Sequence, residues 1–383
     1  MHLSPRDQLI RLAHHFGSDP EYARAGGGNA SVKVDGVLHI KPSGTMLADL
    51  RDEDLVPLRL EPLFEALVSD EPVEGDPVMV AAERARVGDP AGRRPSVEIL
   101  FHALIADPLV IHLHPLVANA VTCNEDGRQL TADLLGDEAL WVDYIDPGIP
   151  LARGIAAARV EFESHTGRHA PAITMLGNHG IIVSGDTFEE VAQRTTWLTS
   201  TIAAAIAAAG PDAGTDAAAG AVSTLDNAGS AATLTTLAEQ FRVATESRSV
   251  VLDADAFIAA TTGPSAGPVS RGPMIPDQIV YAGSLPVLLR EDDDADAVAH
   301  QVARFRGIHG RSPVVAVIPR VAAFAVGEGD KAARNALDTY RDALRMARDA
   351  DRIGRVRVMD QSERTFIENW EAESYRRSVA ATA

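Results

Sequence analysis

A buried strand with two histidines on one face, "VIHLHPLVANAV" from Val110 to Val121, restricts the architecture of this chain more than any other stretch. Its apolar, β-branched start reads as a core strand. Side chains alternate across a strand, so His112 and His114 point the same way, two residue rises apart. That spacing suits one metal ion. An HxH pair alone reads more readily as two hydrogen-bonded structural histidines, and a third ligand reverses that reading. His179, in "LGNHGIIVSGD", is a candidate third ligand, because it lies just past an apolar strand, between Asn178 and Gly180, where a turn exposes a side chain. Three nitrogen ligands with a fourth position left for water or substrate form the pattern of a catalytic metal site.

The surrounding elements alternate. An amphipathic helix is expected around Asp7 to Phe16. It is followed by a β-hairpin closing on two tight loops in "ARAGGGNASVKVDGVLHIKPSGTML". "PSVEILFHALIAD" carries helix-start signals in Pro95 and Ser96, with Glu98 in the first turn. The HxH strand, the strand "AITMLGNHGIIVSG" and a helix from about Thr187 to Ala208 complete an α/β domain over residues 1–205. Composition then shifts to Ala, Gly, Ser, Thr and Asp, which reads as a linker over residues 206–234. A smaller α/β domain is expected over 235–383. Within it "VAVIPRVAAFAVGEGDKAARNALDTY" echoes "ITMLGNHGIIVSGDTFEEVAQRTTWL", with Gly327 under Gly185 and Val321 under His179, as a degenerate copy would.

Charge narrows the partners. With 54 acidic against 35 basic residues and a net charge of -19, the surface suits neither nucleic acid nor an anionic membrane, although a small anionic substrate is still compatible. The single cysteine, Cys123, cannot form an internal disulfide, and no run reaches transmembrane length. A cytoplasmic protein is expected.

Two loops have anion-binding chemistry. "GGGNAS" offers Gly28 for close backbone approach, with Asn29 and Ser31 as donors. "KPSGT" adds Lys41, Ser43, Gly44 and Thr45, and Ser96 adds a hydroxyl near a helix start. Each is also a common turn. Glu98 could complement a helix dipole or, beside a metal, move protons. Tyr144, before "DPG", is a candidate acid for an aldehyde oxygen, though a half-buried strand tyrosine is the commoner case. His102 reads as a core or supporting histidine.

"GGGNASVKV", "KPSGT", "PSVEILFHALI", "HLHP" and "LGNHGIIVSGDTFEEV" occur in one order, and with them the chain resembles the class II aldolase/adducin family. It is most similar to the aldolase part of bifunctional rhamnulose-phosphate aldolase/short-chain dehydrogenase-like proteins, without the dehydrogenase part. The resemblance implies a central β-sheet flanked by helices, with His112, His114 and His179 holding a divalent metal, zinc before manganese or cobalt. It implies that Glu98 moves protons and that Gly28, Asn29, Ser43, Gly44 and Ser96 face a phosphate. It implies reversible cleavage of a ketose or ketose 1-phosphate to an aldehyde and dihydroxyacetone phosphate or a similar ketone, by a homo-oligomer. Where relatives often have two serines before the glutamate, this chain has Ser96 and Val97, so one phosphate donor is missing.

Three rival readings stand beside it. Related scaffolds epimerise, dehydrate or decarboxylate on the same metal, and adducin-like relatives are interaction proteins lacking the ligands. Gly327, Gly329 and Ala332 also make a GxGxxA pattern with Asp360 beyond, as in a dinucleotide-binding turn, although Asp360 comes late and little chain follows it.

Overall fold

The computed structural model describes residues 3–88, 93–210, 228–263 and 267–370. The chain divides into two compact units, the first built up to Ala205 and the second from Ile206 to Asn369.

The first unit is organised by a mixed sheet of seven strands: β1 (Asn29–Val34), β2 (Val37–Ile40), β3 (Val56–Arg59), β4 (Leu109–Leu113), β5 (Ala139–Val142), β6 (Ile173–Leu176) and β7 (Gly180–Gly185). Their order is β3-β2-β1-β4-β7-β6-β5, and every pairing is antiparallel except β5 with β6. The β1–β2 turn is Asp35-Gly36, both at positive φ, which matches the right-handed twist of the flanking strands. Strands β4, β6 and β7 are buried along their whole length, as continuous apolar runs between helical layers should be. Helix Pro5–Gly17 starts on a reciprocal capping box between Ser4 and Asp7, with proline at its first position. Helix Ile149–Thr166 packs against β5, and Arg194 of helix Phe188–Ala208 donates to the Ser184 carbonyl of β7. This is the expected α/β class, a central sheet flanked by helices.

Two local expectations are corrected. The helix after Pro95 and Ser96 begins only at Ile99, with Glu98 at its cap position and no side-chain capping bond. Ser96 instead accepts the Glu98 N–H through its hydroxyl, and Pro95 bridges Pro42, so the turn is held outside the helix. The alanine-rich ends of the expected linker are helical, through Ala208 on one side and from Ala228 on the other, consistent with alanine's helix preference. Residues 211–227 of that linker lie outside the described residues.

The second unit has four strands, β8 (Ser249–Asp253), β9 (Val287–Leu288), β10 (Val315–Ile318) and β11 (Ala322–Gly327), in the order β8-β11-β10-β9. The GxGxxA pattern follows β11, which runs antiparallel to both neighbours, whereas a dinucleotide-binding turn joins parallel strands. Asp360 accepts the N–H groups of Ser362 and Glu363 and so caps helix Gln361–Asn369. No described helix is long and apolar enough to cross a membrane.

Candidate metal centre

The centre is assembled where β1, β4 and the β6–β7 hairpin lie side by side. Asn29 of β1 is the register partner of His112 of β4, and His112 in turn pairs with Ile182 of β7. His179 arrives from the three-residue turn between β6 and β7, where Asn178 adopts φ +47° and donates its N–H to the Thr122 carbonyl. That conformation is uncommon outside glycine and is held here by the hairpin. Close packing is required on both sides of the cluster. A Cβ on Gly180 would sit 2.3 Å from the Leu113 carbonyl oxygen and 2.6 Å from His114, and one on Gly28 would sit 2.9 Å from the His112 carbonyl.

Among the described residues, His112, His114 and His179 form a buried cluster whose ligand atoms all lie within 4.8 Å of one another. The Nε2 atoms of His112 and His114 are 2.9 Å apart. Nδ1 of His112 is 2.9 Å from the Ile181 carbonyl, which fixes the hydrogen on Nδ1 and turns the Nε2 lone pair toward the cluster. Burial holds the His112 imidazole well below its ordinary 6.5, against an upward pull from Glu98, so it is neutral, the form that ligates. An ion at about 2.0–2.1 Å from each nitrogen needs them to converge in this way. The residues therefore fit a divalent metal.

Glu98 completes the centre. Its Oε1 is 3.4 Å from both His112 Nε2 and His179 Nε2, and its Oε2 accepts the side-chain amide of Asn29. Burial would raise its carboxyl. The neighbouring histidines, His112 first and then His179 through a hydrogen bond, outweigh burial and hold it below the usual carboxylate range. Glu98 is thus a buried carboxylate with one oxygen anchored and the other facing the histidines.

The remaining candidates separate. Ser31 is fully buried, and its hydroxyl bonds Nδ1 of His102 at 2.8 Å, while the Asn29 amide donates one hydrogen bond to Glu98. Lys41 is also buried, and its ammonium donates to the carbonyls of Gly26, Pro42 and Thr45, tying the two glycine loops together through their backbones. Ser43 and Gly44 lie half-buried in the second loop, with Gly44 at positive φ and the Ser43 N–H given to Arg94. Ser96 is buried, and its hydroxyl accepts the Glu98 N–H. Tyr144 sits in the loop after β5, not in a strand. Its hydroxyl donates to Asp146, and its backbone nitrogen lies 2.9 Å from where a Cβ on Gly177 would be.

Sequence reasoning missed the Asn29–Glu98 and Ser31–His102 bonds, whose partners are 69 and 71 positions apart. The "NAS" spacing was the available signal, since it places Asn29 and Ser31 on the same strand face.

Residues 7–206, more than half of the chain, match the family model described as class II aldolase and adducin N-terminal domain. The chain belongs to the class II aldolase and adducin family. Among curated proteins it is 23% identical over 412 residues to "Uncharacterized oxidoreductase YuxG" of Bacillus subtilis (strain 168), with 98% of this chain and 58% of that protein covered. The chain thus spans a little over half the length of that relative. Among solved structures it is similar to the N-terminal class II aldolase domain of a conserved protein from Thermoplasma acidophilum. The identity is 25%, the TM-score 0.46, and 53% of this chain and 94% of that one are covered. L-fuculose-1-phosphate aldolase from Thermus thermophilus is 19% identical with a TM-score of 0.35, over 54% of this chain and 98% of that one. Family membership rests on the match over residues 7–206. Class II aldolases use a divalent metal, and among the described residues the three buried histidines could hold one.

Proposed function

We propose that the first unit is a metal-dependent aldolase that cleaves a ketose or ketose 1-phosphate to an aldehyde and dihydroxyacetone phosphate or a similar ketone. The observation that carries the reading is Glu98: a buried carboxyl group with Oε2 held by Asn29 and Oε1 3.4 Å from two histidine nitrogens. In this reading His112, His114 and His179 hold the ion, zinc in preference to manganese or cobalt. When bound, the ion supplies Lewis acidity that polarises the substrate's carbonyl.

The residues around it have separate tasks. In the direction of condensation Glu98 Oε1 removes the proton from the carbon beside the ketone carbonyl, and in cleavage it returns that proton to the same carbon. Asn29 keeps the carboxylate from rotating away. Tyr144 protonates the aldehyde oxygen in condensation and receives the proton back in cleavage. Gly28, Ser43, Gly44 and Ser96 border the space for an anionic group, with Lys41 fixing the two loops. The substrate is a small sugar or sugar phosphate, and the enzyme works as a cytoplasmic homo-oligomer. The experiment is an aldehyde-release assay across free and phosphorylated ketoses on metal-loaded protein, with product identification. Epimerised or decarboxylated product with no carbon–carbon cleavage would replace this reading with another reaction of the same centre.

A further inference from the structure

The second unit repeats the metal-bearing half of the first. Strands β4-β7-β6-β5 and β8-β11-β10-β9 have the same order, and the same pairings are antiparallel in each, with only β5–β6 and β9–β10 parallel. The hairpins match residue for residue. β6 and β10 have four residues, β7 and β11 have six, and three residues join each pair. A long helix begins three positions after each hairpin, at Phe188 and at Asp330. The helices that cross to β6 and β10 both end on a left-handed glycine, Gly167 at φ 67°, ψ 11° and Gly310 at φ 68°, ψ 9°.

Finer details agree as well. Five non-glycine residues have positive φ among the described residues, and two of them, Asn178 and Arg320, occupy the same place in the two hairpin turns. Seven-residue helices, Leu116–Thr122 and Ala256–Thr262, begin at the third position after β4 and after β8. Each ends in a threonine that accepts the N–H of that left-handed residue: Thr122 through its carbonyl at 2.8 Å, Thr262 through its hydroxyl at 2.9 Å. An uncommon backbone conformation, recurring with the same partner at the same position, is not expected of unrelated hairpins.

The registers then identify the counterparts. Gly185 pairs with Leu109 and Gly327 with Ser249, so His112 corresponds to Leu252 and His114 to Ala254. Counting along the hairpins, His179 corresponds to Val321. All three counterparts pack, partly buried, against one apolar cluster. We infer that the second unit is a diverged copy of the 109–208 half of the first, in which Leu252, Ala254 and Val321 replace the metal ligands and close the site with apolar contacts. The four-stranded sheet has no counterpart of β1, β2 or β3, so β8 is an edge strand, and nothing in it corresponds to Asn29 or the glycine loop. The copy is therefore without these metal ligands, and among the described residues the chain has one such histidine cluster.

The test restores what was lost. Leu252→His, Ala254→His and Val321→His are combined in a chain that also carries His112→Ala and His114→Ala, so that the first centre is emptied. Cobalt(II) is the probe, read by visible absorption and by equilibrium dialysis. The graft is expected to gain about one Co2+ per chain over its parent, with no carbon–carbon cleavage. A cooperatively folded graft that binds no more Co2+ than the parent overturns the inference. Should the triple graft not fold, the pair Leu252→His and Val321→His, both at partly exposed positions, is titrated with Cu2+. A folded pair with no gain overturns the inference equally. The inference draws on the proposed centre only for its ligand set. Wild-type protein that takes up no Co2+ would sink that reading separately, because the graft is scored against its own parent.

Discussion

Asn29 and Glu98 are joined by a buried side-chain hydrogen bond, amide Nδ2 to carboxylate Oε2, which leaves Oε1 facing His112 and His179. Partners of this kind orient functional groups without touching substrate, and their loss typically reduces activity or metal affinity roughly 10- to 100-fold. Asn29→Ala is expected to lower kcat within that range while metal content stays near one per chain. Turnover and elemental analysis on the same sample check it. Unchanged kcat would show that Glu98 needs no anchor.

Glu98→Gln separates a base from a helix cap. Glu98 makes no capping bond to its helix, so as a cap it contributes only a dipole effect of about 0.3–1 kcal/mol, and a glutamine carbonyl at this position can still accept the Asn29 amide. An amide cannot take a proton at this position. Turnover is expected to fall by roughly 100-fold or more, while Tm and metal content change little. A near-normal rate in metal-loaded Glu98→Gln would remove Glu98 from the chemistry.

His112→Ala should behave differently, since it removes a nitrogen at the middle of the cluster, between His114 at 2.9 Å and Glu98 at 3.4 Å. Metal and activity are expected to be lost together, and adding Zn2+, Mn2+ or Co2+ should not restore them. Chelated wild-type protein should recover activity on reloading, which also identifies the preferred ion. Full metal content in His112→Ala would mean that the ion binds elsewhere.

The histidine cluster was legible because its signals are local. A strand alternates faces, so His112 and His114 had to converge, and a hairpin turn had to present His179. What sequence could not give is pairing across distance. Nothing in "GGGNAS" says that Asn29 lies opposite His112 and reaches Glu98, or that Ser31 is buried under His102. Lys41 is a related case: a lysine in a glycine-rich loop suggests an anion, and the structure adds that its ammonium donates to backbone carbonyls of both loops. The duplication was visible only as a faint echo, because strand direction, φ and caps persist after side chains have diverged.

His102 gives the pH prediction. It is fully buried, and burial first of all, then the charges of Lys33 and Lys41 against Glu98, lowers its pKa to about 3. The folded protein therefore keeps His102 neutral while the unfolded chain takes up a proton near 6.5. Between pH 6.5 and about 3 the unfolded state binds more protons at this residue, so its contribution to stability is intact above 6.5 and falls as pH drops. The slope is about 1.4 kcal/mol per pH unit, screened by nothing at a site this buried. His102→Gln keeps a group that can bond Ser31 but cannot be protonated. Relative to wild type it should flatten the loss of stability between pH 6.5 and about 4, even if it is less stable at neutral pH through poorer packing against Phe101, whose ring stacks on His102 at 4.8 Å. Urea melts at half-unit pH steps measure the difference. Parallel stability curves for the two proteins across that range would show that His102 is not what acid attacks.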